Sequence, residues 1–66
     1  MADGYLLNGL HAWKRERQKK HRLFMSRYAS LERQDHPCLR AQGKMIELNR
    51  KIIELIDVAI AEATDG

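Results

Sequence analysis

Sixty-six residues, a net charge of +3 and a single cysteine allow one domain at most and exclude an intrachain disulfide. A chain this short buries only about 60 % of the surface its unfolded form exposes, so its own core is marginal. A lone thiol fits a reducing, cytoplasmic setting. The opening Met1-Ala2-Asp3-Gly4-Tyr5 lacks the basic segment and apolar core of a secretory signal. Lys51, Glu54 and Asp57 interrupt the most apolar stretch, so no membrane partner is expected.

The first element is a helix over about 4–34, which Asp3 or Asn8 could cap. Its apolar residues fall into two clusters: Leu6, Leu7, Leu10 and Trp13, then Leu23, Phe24, Met25, Tyr28 and Leu31. Between them residues 14–22 carry six Lys/Arg and one Glu, with no apolar side chain. Lys14, Arg17 and His21 fall on one side of that helix, and Arg15, Lys19 and Arg22 on another. Residues 1–40 hold nine Lys/Arg against four Asp/Glu, and residues 41–66 three against five. The halves can therefore attract each other, an acidic partner, or both.

The connection is read at 35–37. Pro37 disfavours helix at the preceding residue and suits a helix's first turn. Asp35 is placed as the cap of the second helix. A connection this short makes its flanking helices antiparallel neighbours.

The second helix is expected over about 38–63. Cys38, Ala41, Met45, Leu48, Ile52, Leu55 and Ala59 recur at steps of three and four as one heptad seam, with Cys38 packed as a small buried residue. Ile46, Asn49, Ile53, Ile56, Ile60 and Ala63 form a second seam beside it. Gly43 weakens the helix by about 1 kcal/mol relative to alanine and could break it. Folding the hairpin about 34–37 puts Leu31 near Ala41, Phe24 near Leu48, Lys20 near Ile52, Arg17 near Leu55 and Trp13 near Ala59. The first seam then faces lysines and arginines, and the second lacks cover. At roughly 1.5–3 kcal/mol per buried aliphatic side chain, that is more than so small a domain can spare.

The expected architecture is all-α: an antiparallel two-helix hairpin that dimerises into a four-helix bundle. Its association interface would be Trp13, Ile46, Ile53, Ile56 and Ile60. Trp13 could instead cap the bundle core against Ala59 and Ala63. Lys14, Arg15, Arg17, Lys19, Lys20 and Arg22 are the surface for an acidic or groove-bearing protein, or for the phosphates of RNA or DNA. The same residues also read as a solvated helix face.

His11, His21, His36 and Cys38 show neither CxxC nor HxxxH spacing, so no metal is expected. No glycine-rich phosphate loop or nucleophile elbow occurs, so neither enzyme chemistry nor a cofactor is expected. In length and heptad pattern the hairpin resembles the Rop family of plasmid-copy regulators, which implies an RNA-binding dimer of hairpins. The stretch from Pro37 to Ala59 is similar to the small hairpin co-chaperones of type III secretion needle subunits, which implies a subunit of a larger assembly. No residue role is carried over from either. The function expected is that of a small non-enzymatic regulator, adaptor or inhibitor working through helix surfaces. An RNA- or DNA-binding regulator and a structural or co-chaperone subunit are the alternatives.

Overall fold

Two antiparallel helices make up the chain in a computed structural model that describes residues 2–65, with side chains from residue 4. Helix α1 spans Ala2–Arg33 and α2 spans Leu39–Asp65. Packed along their length, they form an all-α hairpin whose Cα atoms extend 51 × 14 × 11 Å. No strand occurs among the described residues.

The seam of α1 is an unbroken heptad. Leu7, Leu10, Lys14, Arg17, His21, Phe24, Tyr28 and Leu31 are all half-buried, at alternating steps of three and four. Three of these eight positions therefore hold Lys14, Arg17 and His21. On α2 the buried residues lie seven apart: Gln42, Asn49 and Ile56. Gln42 Nε2 donates to the carbonyl of Phe24 at 3.2 Å. Asn49 Nδ2 donates to the carbonyl of Arg17 at 3.0 Å. The two acceptors are also seven residues apart, so a pair of side-chain amides clips α2 onto the backbone of α1 in one register.

That register corrects the expected pairing in part: Phe24 does share a groove with Leu48, and Trp13 with Ala59. Arg17 meets Asn49, not Leu55, six positions further on. The two seams also exchange roles. Ile56, expected to look outward, is 2 % exposed against α1, and Ile46, Ile53 and Ile60 are half-buried beside it. Leu48 and Leu55, expected to face α1, are 62 % and 68 % exposed. The reason is the pair of amides. Placing Gln42 and Asn49 at the centre of the contact rotates α2 so that the 46–53–60 edge turns inward and the 48–55 edge turns out.

The turn differs from expectation as well. Asp35 has a φ of 51° and terminates α1; it does not cap α2. The amide of His36 donates to the carbonyl of Leu31 at 3.0 Å, and that of Asp35 to Glu32 at 3.1 Å. This is the Schellman arrangement, with an aspartate where glycine is usual. His36 then starts α2: its Nδ1 accepts the amide hydrogen of Cys38 at 3.0 Å, and its carbonyl accepts from Leu39. Pro37 lies in the turn two residues before Leu39, where its missing amide breaks no helical hydrogen bond. Cys38 is exposed, not packed. α2 passes through Gly43 unbroken.

Candidate functional site: an apolar groove beside a basic band

Ile56 is the only apolar side chain buried among the described residues, whereas nine large hydrophobic residues are exposed. Four of them, Trp13, Met45, Leu48 and Leu55, line two adjoining grooves between the helices. Leu10 and Trp13 of α1, with Ile52, Leu55, Ile56 and Ala59 of α2, line a groove of about 320 Å³. A second groove of about 160 Å³, between Arg17 and Phe24 on α1 and Met45, Leu48, Asn49 and Ile52 on α2, meets the first at Ile52. Trp13 is 45 % exposed, so it forms a wall of the groove while its ring remains open to a partner. Val58, 53 % exposed, borders the same side of α2 three residues beyond Leu55. The larger groove is walled by apolar side chains alone, whereas Arg17 and Asn49 of the seam form part of the smaller one.

The six cations expected to form a surface divide into two sets. Lys14 pairs with Asp57. Arg17 donates through a terminal guanidinium nitrogen to Asn49 Oδ1 at 3.3 Å. These two belong to the hairpin seam. Arg15, Lys19, Lys20 and Arg22 are exposed and remain available to a partner. Arg17 Nε and His21 Nδ1 are buried without a hydrogen-bond partner, which makes the middle of the seam its costliest part. Sequence reasoning gave Gln42 no role and Asn49 none beyond its seam. The seven-residue repeat Gln42–Asn49–Ile56–Ala63 was the signal available for both.

Charge is distributed in bands along the hairpin axis. The open end, residues 1–13 with 52–66, holds Asp3, Glu54, Asp57, Glu62 and Asp65 and no Lys or Arg. The middle, residues 14–26 with 48–51, holds eight Lys/Arg against Glu16 alone. The turn end, residues 27–47, is nearly balanced at four Lys/Arg against three Asp/Glu.

Among the described residues no three His, Cys, Asp or Glu side chains gather as a metal site, and no helix is long and apolar enough to cross a membrane. Comparison with protein-family models, with curated proteins and with solved structures finds no match to this chain.

Proposed function

We propose that this hairpin is a small non-enzymatic interaction protein, a regulator, adaptor or inhibitor of the cytoplasm that works through its helix surfaces. It pairs with a second hairpin as a four-helix bundle and offers exposed cations to an acidic protein. The observation that carries this reading is the imbalance, among the described residues, between one buried apolar side chain and nine exposed large ones. A two-helix chain with so thin a core gains its stability by association. The apolar surface that takes this role is the groove wall of Trp13, Met45, Leu48 and Leu55. It replaces the Ile46, Ile53, Ile56 and Ile60 edge.

Sedimentation at low micromolar concentration tests it. A dimer or larger species is expected, and a stably folded, cooperative monomer would remove the bundle. A second reading, an RNA- or DNA-binding regulator, draws on the eight Lys/Arg of the middle band. It predicts an affinity that falls linearly with salt on logarithmic axes. A titration at two salt concentrations with no binding at micromolar protein excludes it.

A further inference from the structure

We infer that the occupant of the apolar groove is a second copy of this chain, laid antiparallel and offset, so that the acidic open end of each copy covers the basic middle of the other. This rests on the bundle reading above and names its partner and geometry.

Three ways of stacking two hairpins through the grooved side can be separated by charge. A parallel pair sets acidic end on acidic end and basic middle on basic middle. A fully overlapped antiparallel pair still lays basic middle on basic middle. Like charges facing each other across an interface cost affinity and suppress that arrangement. Only an offset that moves the two-fold axis to the boundary between the bands sets the acidic open end of each copy over the Lys/Arg band of the other. That boundary lies at Trp13 and Leu55, which share the larger groove and are 45 % and 68 % exposed. An axis there presses Trp13 and Leu55 of one copy against the same residues of the other, the self-complementary contact that two-fold symmetry requires.

Lys20 lies on the grooved edge of α1, three residues after Arg17 and four before Phe24, both of which line the smaller groove. It stands where the partner copy's Glu62 and Asp65 arrive. The overlap takes about two thirds of the 51 Å hairpin and two helix diameters of width. That area is on the order of the ~800 Å² per partner of a standard interface. The turn ends project beyond the overlap at opposite poles.

The test uses the intact chain with nitroxide labels on its exposed Cys38. In the offset dimer the two labels stand further apart than the 51 Å length of one hairpin. A pulsed dipolar distance at or below that length overturns the offset while leaving a dimer in place. K19E/K20E and E62K/D65K, each checked for helicity by circular dichroism, are expected to weaken self-association by about tenfold or more. Mixed together they restore it as a heterodimer. A mixture that stays as weak as its parts overturns the charge pairing. L55D is expected to abolish the dimer, and a dimer that survives it places the contact elsewhere. If the unmodified chain remains a monomer, the second copy is excluded, the bundle falls with it, and the groove belongs to a different helix.

Discussion

Asn49 holds Arg17 through both ends of its side-chain amide: its Nδ2 donates to the Arg17 carbonyl at 3.0 Å while its Oδ1 accepts from the guanidinium at 3.3 Å. Asn49 is 2 % exposed, so a lost partner there is expensive. Asn49→Ala is expected to cost about 2–3 kcal/mol, read as a lowered thermal midpoint at fixed protein concentration. Replacing both residues, Arg17→Met with Asn49→Leu, is expected to recover most of that loss, because an apolar pair needs no compensation. The recovered protein should populate more than one helix register, visible as extra amide resonances. A double variant as unstable as Asn49→Ala alone would show that the cost does not come from an unmet guanidinium.

Lys14 and His21 occupy positions of the α1 seam that ordinarily hold aliphatic residues. The Lys14–Asp57 pair leaves the two side chains 31 % and 49 % exposed, so solvent screens it and it contributes little, about 0–1 kcal/mol. Lys14→Leu is therefore expected to raise the thermal midpoint despite losing the ion pair. His21→Leu removes a buried nitrogen without a partner and should stabilise by about 1–2 kcal/mol. A lowered midpoint in both would mean that these polar groups support the seam.

The turn offers two opposite changes. Asp35 sits at a φ of 51°, where glycine is free of the side-chain clash that aspartate bears. Asp35→Gly should stabilise by up to about 1 kcal/mol. His36→Ala removes the acceptor of the Cys38 amide and should destabilise by about 0.5–2 kcal/mol, the usual loss for a helix cap. Urea unfolding of the two variants checks both signs. Equal midpoints would show that the turn is held by packing and not by these caps.

Two glycines inside helices separate propensity from packing. A methyl group at Gly9 would meet nothing within 4 Å, whereas one at Gly43 would touch the Tyr28 ring at 3.4 Å. Gly9→Ala should gain about 1 kcal/mol from backbone entropy alone. Gly43→Ala should gain at least as much where the ring accepts the contact, and a loss there would show that Tyr28 cannot yield. Thermal midpoints of the two variants side by side decide it.

The two helices, the turn at Pro37 and the presence of more apolar surface than one hairpin covers were legible from residue types alone. Heptad spacing and a proline flanked by polar residues act over a few residues, and that is the range at which helix and turn are determined. The facing of α2 was not legible, because two adjacent seams are equally apolar in sequence and either satisfies the same periodicity. What chose between them was the reach of two amides, Gln42 and Asn49, to backbone carbonyls of α1 that lie far away in the chain. A buried hydrogen bond depends on distance and angle, while an apolar contact depends on area alone. Area specified that these helices pair; only the folded geometry decided which edge is left open.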